Sequence, residues 1–146
     1  MDLSKMLDER LISFGMDVTD KKDAIQKVSR KLYEAGVVSN HDEYLKGVLE
    51  RENECETGVG NGIAIPHCKS DCVNKAAFTL IKLTKEIEWG SIDDKPVDYI
   101  IMLAAPNSVE NVHLKMLSEL AVRLMDEEFT EKLKNAINVD QIKEIF

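Results

Sequence analysis

The segment PVDYIIMLAA (96–105) constrains the fold of this chain more than any other stretch. It is nearly all apolar, as a strand is when it lies in the centre of a sheet and is covered on both faces. Such a strand requires helices on each side of the sheet to exclude water. Because the chain has 146 residues, near the usual size of one compact domain, a single sheet between two helical layers fits its length.

The rest of the chain supplies the helices and the further strands. Apolar periodicity and capping residues predict helices over 19–35, from 40 or 41 to about 52, from a cap at Asn107 or Ser108 to about 126, over 127–136 and over 138–146. Strands are predicted over 10–16, 62–66 and 75–83, with an edge piece over 86–90 and a glycine-rich loop over 55–62. We therefore expect one α/β domain over 1–146, with a mixed β-sheet and helices on both faces, a three-layer α/β/α sandwich.

Charge and composition exclude several classes of function. The formal net charge of −8 argues against a nucleic-acid partner and favours partners with basic surfaces. No apolar run approaches the ~20 residues of a membrane span, and the start, MDLSKMLDERL, is too charged for a secretory leader. The three cysteines form no disulfide framework, which is typical of a cytoplasmic protein with reduced thiols.

His67 is the first candidate site residue, in the stretch GNGIAIPHCK (60–69). Pro66 fixes its own φ and restricts Ile65, so the imidazole is predicted to stand on a stiff stem where a strand ends. Sheet edges of this kind commonly carry sites in α/β proteins. The residues alone fit equally well a turn histidine that is hydrogen-bonded to backbone. Three glycines of the preceding loop would let backbone amides approach an anion: Gly58, Gly60 and Gly62.

Two further side chains could bind an anion. His113 lies four residues before Leu117, on the inward stripe and in the first turn of the third long helix. The N-terminus of a helix favours an anion and keeps a nearby imidazole neutral. Arg51 ends the second helix, and its guanidinium fork suits a phosphate. Each has an ordinary alternative, His113 as a core histidine and Arg51 as a solvated arginine in the charged run ERENE (50–54).

The cysteines also allow a zinc site, which is the less favoured interpretation. Cys68 and Cys72 have a tolerable spacing for zinc ligands, with Cys55 and His67 near them in the sequence. However, no second cysteine pair follows, and His67 directly precedes Cys68. The sequence therefore predicts neither a metal nor another cofactor.

The segment RENECETGVGNGIAIPH (51–67) closely resembles the active-site segment of enzyme IIA domains of the bacterial phosphotransferase system, fructose–mannitol type. The segment LAAPNSVENVHLKMLSELAVRLM (103–125) resembles the second signature of that family, which assigns its second active-site histidine to His113. The resemblance covers nearly the whole chain. Cys68 departs from it, since many relatives have glycine after the Pro-His pair. The positions that match the first segment are Arg51, Thr57, Gly58, Gly60, Gly62, Ala64, Pro66 and His67.

This resemblance implies a phosphoryl carrier. His67 would be the phosphoacceptor, held rigid and exposed to a partner protein, and it would attack through Nε2 while a backbone carbonyl holds Nδ1–H. His113 would donate to the phosphoryl oxygens, and Arg51 would neutralise charge. The phosphate-binding loop would consist of Thr57, Gly58, Gly60 and Gly62.

The resemblance also implies partners and a setting. The protein would accept phosphate from HPr and pass it to a cysteine of a IIB component, and it would meet the membrane component IIC only indirectly. Fructose is the favoured sugar, and the expected location is the cytoplasm. The alternative is a regulatory phosphoswitch of the same fold, of the nitrogen-regulatory type, with no sugar substrate. A non-catalytic scaffold would leave both histidines without a purpose.

Overall fold

The computed structural model describes residues 2–107 and 111–146. In those residues the chain forms eight strands and five α-helices after two short 3-10 helices, Leu3–Met6 and Glu9–Leu11. The strands are β1 (Ile12–Met16), β2 (Gly58–Gly60), β3 (Ile63–Ala64), β4 (His67–Ser70), β5 (Ala77–Phe78), β6 (Leu80–Ile87), β7 (Val97–Ile100) and β8 (Leu103–Pro106). The helices are α1 (Lys21–Glu34), α2 (His41–Glu54), α3 (Val112–Leu124), α4 (Glu127–Asn135) and α5 (Val139–Ile145). Of the helices in these two ranges, none is long and apolar enough to cross a membrane.

The strands form two mixed sheets. The larger has the order β1-β6-β7-β3-β2, and the smaller has the order β4-β8-β5. Strand β3 runs parallel to β7 in the larger sheet, and β4 runs parallel to β8 in the smaller sheet. The chain therefore crosses between the sheets at two adjacent points, once between β3 and β4 and once between β7 and β8. The prediction of one continuous strand over 96–105 is therefore wrong, because this segment contributes one strand to each sheet.

Pro66 accounts for the division between the sheets. It lies between β3 and β4, and it has no backbone N–H to donate to a ladder. The segment at the junction of β7 and β8 donates hydrogen bonds to the chain around Pro66. The N–H of Ile101 donates to the backbone oxygen of Ala64 (2.9 Å), and the N–H of Leu103 donates to that of Pro66 (3.0 Å). His67 consequently lies at the junction of the two sheets, as the first residue of β4.

Helices cover both faces of the larger sheet, which confirms the predicted α/β class. Alternate strand residues point into two separate cores: Ile63 and Leu80 belong to one and Ala64 and Ile81 to the other. The first core packs against α3, α4 and α5, and the second against α1 and α2.

The first two helices match the prediction closely. Asp20 caps α1 by accepting the N–H of Asp23 (2.8 Å), and Asn40 caps α2 by accepting that of Glu43 (3.1 Å). Gly36 ends the first of them with a positive φ of 75°. The predicted apolar stripe of α1 is fully confirmed as buried: Ala24, Ile25, Val28, Leu32 and Ala35.

The third helix starts later than predicted. Its N-cap is Asn111, in the left-handed region with a φ of 54°, so the predicted cap at Asn107 is wrong. The alternative cap, Ser108, lies outside the described residues. Met116 and Leu120 are the fully buried residues of this helix, whereas Ala121 of the predicted stripe is exposed.

Two predictions for the shorter segments also need correction. The stretch 55–62 is not a loop throughout, because β2 lies within it and pairs antiparallel with β3, which follows it. The predicted edge strand over 86–90 is absent from the described chain, since β6 already ends at Ile87. Whether each of these segments forms a strand depends on the neighbouring strand with which it can pair. A short segment contains little sequence information about such a partner.

Gly58 gives a direct test of the packing around β2. A Cβ built at this position would lie 2.7 Å from the Cα of Ser91, which is backbone and cannot rotate away. We expect Gly58→Ala to lower the free energy of unfolding by about 1–3 kcal/mol, as overpacking does. Val59→Ala changes the exposed neighbour in the same strand and should alter it by less than about 0.5 kcal/mol. Urea denaturation of both variants measures the difference, and equal effects would contradict the close approach.

Candidate functional site

His67 is the centre of the candidate site and is more deeply covered than predicted. It lies on β4, the edge strand of the smaller sheet, opposite Leu103 of β8. Only 6% of the residue is exposed. The expectation of an exposed imidazole is therefore wrong, and part of the reason is the start of α3, which brings His113 against the ring.

The hydrogen bond at Nδ1 determines the tautomer of His67. Nδ1 lies 2.8 Å from the backbone oxygen of Ile65. A carbonyl oxygen can only accept, so the Nδ1 nitrogen carries the proton and donates. The other ring nitrogen, Nε2, is then left with its lone pair when the ring is neutral. This contact supplies the backbone carbonyl that was expected to hold Nδ1–H.

His113 lies beside His67. The two ring centroids are 5.4 Å apart, and the ring planes are inclined at 40°. His113 is the second residue of α3, and Met116 and Leu120 anchor that helix in the core. The two histidine motifs, far apart in the sequence, thus form one site.

Arg51 lies in the last turn of α2, close to the histidine pair. Its Nη1 donates to the backbone oxygen of Cys55, the C-cap residue, over 3.0 Å. Its charge lowers the pKa of both His67 and His113, which a remote, solvated arginine would not do. Arg51 therefore belongs to the electrostatic environment of the site.

Both histidines have a lowered pKa. Burial is the main cause for His67, and the charge of Arg51 adds to it, whereas the Ile65 carbonyl and Glu52 oppose it. Burial is also the main cause for His113, followed by the charges of His67, Lys69 and Arg51. Both rings therefore stay neutral to a lower pH than an ordinary histidine does.

Two backbone N–H groups of the glycine-rich segment donate to side chains of the protein. The N–H of Thr57 donates to the carboxylate of Glu52 (3.3 Å), and that of Gly60 donates to Oγ of Ser91 (3.2 Å). Gly58 packs against the backbone of Ser91. The N–H groups of Thr57 and Gly60 thus already have acceptors inside the protein, and the phosphate-binding loop of Thr57, Gly58, Gly60 and Gly62 stays a prediction.

Gly62 also has a structural role. Its φ is 76°, and a Cβ there would lie 2.8 Å from Oδ1 of Asp98. Lys134 closes this corner by pairing with Asp98 (3.0 Å) and donating to the backbone oxygen of Asn61 (2.6 Å). A left-handed residue in so confined a place favours glycine.

Cys68 faces away from His67, as the alternation of a strand requires. Its thiol packs beside α2, where a Cβ at Gly47 would lie 2.5 Å from the sulfur. Burial, with the charges of Cys72 and two nearby glutamates, raises the pKa of this thiol to about 11. The departure from the family pattern at this position therefore adds a protonated, unreactive thiol.

In the described part of the chain, no group of three or more histidine, cysteine, aspartate or glutamate side chains is arranged to hold a metal ion.

Sequence reasoning missed one residue next to the site, Glu52. It is only 5% exposed although it is a carboxylate. The signal was present, because residues 44, 48 and 52 share one face of a helix and the first two, Tyr44 and Val48, are apolar and buried.

Comparison with known proteins shows to which family this chain belongs. The family model described as "Phosphoenolpyruvate-dependent sugar phosphotransferase system, EIIA 2" matches residues 5–146. The chain belongs to this family, whose members act in phosphoryl transfer in the sugar phosphotransferase system. This confirms the resemblance inferred from the two histidine motifs.

One relative and two solved structures illustrate the match. The PTS system fructose-specific EIIA component of Haloferax volcanii is 35% identical over 144 residues, which is 99% of this chain and 94% of that protein. The nitrogen regulatory protein IIA-Ntr from Neisseria meningitidis is similar with a TM-score of 0.87 and 26% identity, over 98% of this chain and 97% of that one. The enzyme IIA of the Escherichia coli complex of IIAMTL and phosphorylated IIBMTL has a TM-score of 0.81 and 27% identity, over 95% of each chain.

The lowered pKa values can be tested by NMR titration of the histidine rings. We expect His67 and His113 to titrate below 6.5, the ordinary value, so that the neutral forms persist as the pH falls through 6.5. Arg51→Gln removes a positive charge that lowers both values, and both midpoints should therefore rise. Arg30→Gln, at an exposed position of α1, is the control and should change neither. Midpoints at or above 6.5 in the wild type would contradict the burial of the pair.

Proposed function

We propose that this protein is a phosphoryl carrier that accepts a phosphoryl group on Nε2 of His67 and passes it to a second protein. The observation that carries the proposal is the Nδ1 hydrogen bond to Ile65, because it leaves a lone pair on the other nitrogen of a neutral ring. Membership of the EIIA family supports the same activity.

Each of the two transfer steps is a nucleophilic substitution at phosphorus. In the first step Nε2 of His67 forms a bond to phosphorus while the bond between phosphorus and the donor's nitrogen breaks, and that nitrogen keeps the electron pair. In the second step an acceptor thiolate attacks the same phosphorus, and Nε2 regains its lone pair. Such a reaction requires positioning and charge stabilisation more than covalent machinery.

His113 and Arg51 supply the stabilisation in this proposal. His113 lies beside the acceptor ring and donates an N–H to the phosphoryl oxygens. Arg51 offsets the negative charge that the group brings into a partly buried site. Since the amides of Thr57 and Gly60 are already donated internally, these two side chains carry most of this task.

The proposed donor is HPr and the proposed acceptor is a cysteine of a IIB component, with IIC reached only through IIB. The Escherichia coli relative that was solved in complex with phosphorylated IIBMTL supports a partner of the second kind. The fructose-specific name of the Haloferax volcanii relative supports fructose as the sugar. We place the protein in the cytoplasm, where its three unpaired cysteines stay reduced.

A regulatory phosphoswitch of the nitrogen-regulatory type is the second candidate, and the structural similarity to IIA-Ntr favours it. In that case phosphorylated His67 would change the affinity for a regulator, and no sugar would be involved. Sugar phosphorylation with membranes that contain the cognate IIB and IIC components separates the two. Product formation supports the carrier, whereas phosphorylation of the protein without sugar turnover supports the switch.

His67→Ala tests the acceptor. Incubation of the wild type with the first enzyme of the system, HPr and phosphoenolpyruvate should add one acid-labile, alkali-stable phosphate, and the variant should take up none. His41→Gln is the matched control, because this histidine begins α2, about 15 Å along the helix from Arg51. It should be phosphorylated like the wild type. Persistent label in His67→Ala would show that the acceptor is another residue.

His113→Ala and Arg51→Lys test the stabilising roles. His113→Ala should still accept phosphate at His67, but onward transfer should slow by on the order of 10²–10³-fold, as when a preorganised donor is lost. Arg51→Lys keeps the charge but loses the planar fork, so transfer should slow while the fold is retained. Rapid-quench measurement of transfer to IIB gives both rates, and a near-normal rate for His113→Ala would reduce that residue to a core histidine.

A further inference from the structure

Glu52 is a buried carboxylate that the phosphoryl-transfer chemistry does not use directly. It lies in the last turn of α2, one residue after Arg51, and its side chain is only 4% exposed. An ionised carboxylate in such a place is costly unless it is paired and hydrogen-bonded. Its partners therefore show what it holds together.

Those partners come from two other parts of the chain, and one of them, Lys21, contacts a third part. Lys21, the first residue of α1, places Nζ 2.9 Å from the Glu52 carboxylate. Thr57 donates both its N–H (3.3 Å) and its hydroxyl to the same carboxylate. Lys21 also donates to the backbone oxygen of Trp89 (3.1 Å) and lies 5.0 Å from the centre of its ring. We call Lys21, Glu52, Thr57 and Trp89 the Glu52 network.

The Glu52 network connects to His67 through two hydrogen bonds of the Ile65 backbone. The oxygen of Thr57 accepts the N–H of Ile65 over 2.9 Å. The oxygen of Ile65 in turn accepts Nδ1–H of His67 over 2.8 Å. A shift of Thr57 would therefore move the carbonyl that sets the tautomer and orientation of the ring.

The same network confines Arg51. Its guanidinium donates to Cys55 while the adjacent Glu52 holds Thr57, so the turn that leaves α2 is fixed at two points. The guanidinium cannot move independently of that turn without losing its acceptor. Glu52 thus holds the chain segment next to the acceptor of the Arg51 guanidinium, as well as the residue that accepts from Ile65.

We propose that Glu52 is a positioning residue for phosphoryl transfer, which acts through Thr57 and Ile65 on His67 and through the α2 turn on Arg51. The inference rests on the proposed function, because it assigns Glu52 a part in that reaction. Its charge has a separate effect on the ring, which an experiment can follow. It raises the pKa of His67 against the effects of burial and Arg51. Among the described residues, His113 is a further titratable group beside the ring, and the charge of Lys69 acts on it.

Glu52→Gln tests the proposal, since it keeps the size and one acceptor oxygen but removes the charge. Single-turnover phosphorylation over a range of phospho-HPr concentrations should show a maximal rate lower by on the order of 10–100-fold, as misplacement of reacting groups causes. The half-saturating concentration of phospho-HPr should stay as in the wild type. By NMR the His67 midpoint should fall. Glu54→Gln, exposed on the same helix end, is the control and should change neither.

Two further variants keep the test decisive if Glu52→Gln folds poorly. Lys21→Met combined with Glu52→Gln removes both charges, so that no lysine is left unpaired, and it should show the same loss of rate. Thr57→Val removes the hydroxyl and should slow phosphorylation. Thr57→Ser keeps the hydroxyl and should be phosphorylated at a rate close to that of the wild type.

The outcomes separate this inference from the proposed function. A wild type that takes no phosphate overturns the proposed function, and the inference falls with it. In the other case the wild type is phosphorylated, and the folded Glu52 variants show the rate and the His67 titration midpoint of the wild type. That result leaves the proposed function standing and reduces Glu52 to a structural residue.

Discussion

The missing N–H of Pro66 is the constraint on which the rest of this structure depends. Because proline cannot donate to a ladder, β3 ends before it and β4 begins after it in a different sheet. The neighbouring segment divides at the same level into β7 and β8. The carbonyl of Ile65, which lies between the strands, is then available to the ring of His67. One backbone property thus produces both the two-sheet architecture and a histidine with a defined tautomer.

The spacing of apolar and capping residues along the chain predicted the first two helices of this fold well. It did not predict features that depend on contacts between distant parts of the chain. The stripe of α1 and the caps at Asp20 and Asn40 follow from residues three or four positions apart, and they were correct. The break within 96–105 is imposed by Pro66, which lies between two other strands, β3 and β4. The acceptor of the Gly60 amide, Ser91, is 31 residues away, so no reading of the glycine motif alone could find it.

The candidate site shows the same division. The two histidine motifs could be found in the sequence, since each has a recognisable setting, and the fold brings their rings to 5.4 Å. The burial of His67 was missed because α3, which contributes to its cover, is more than forty residues further along the chain. Glu52 was missed for a different reason. Its spacing from Tyr44 and Val48 predicts burial, but a charged residue in a charged run suggests a solvated surface.

Burial of the histidine pair changes what the rest of the site must do. It favours the neutral ring that a nucleophile needs, but in the proposed reaction it also makes an incoming phosphoryl group costly, because water solvates the charge less well in a partly buried site. The glycine-rich segment does not offset this cost at Thr57 or Gly60, since it uses those two amides to bind the protein itself. In the proposed transfer, the compensation then depends on side chains, above all on the positive charge of Arg51. A cation that has this task must be held in place, and the α2 turn next to Glu52 is where the chain holds it.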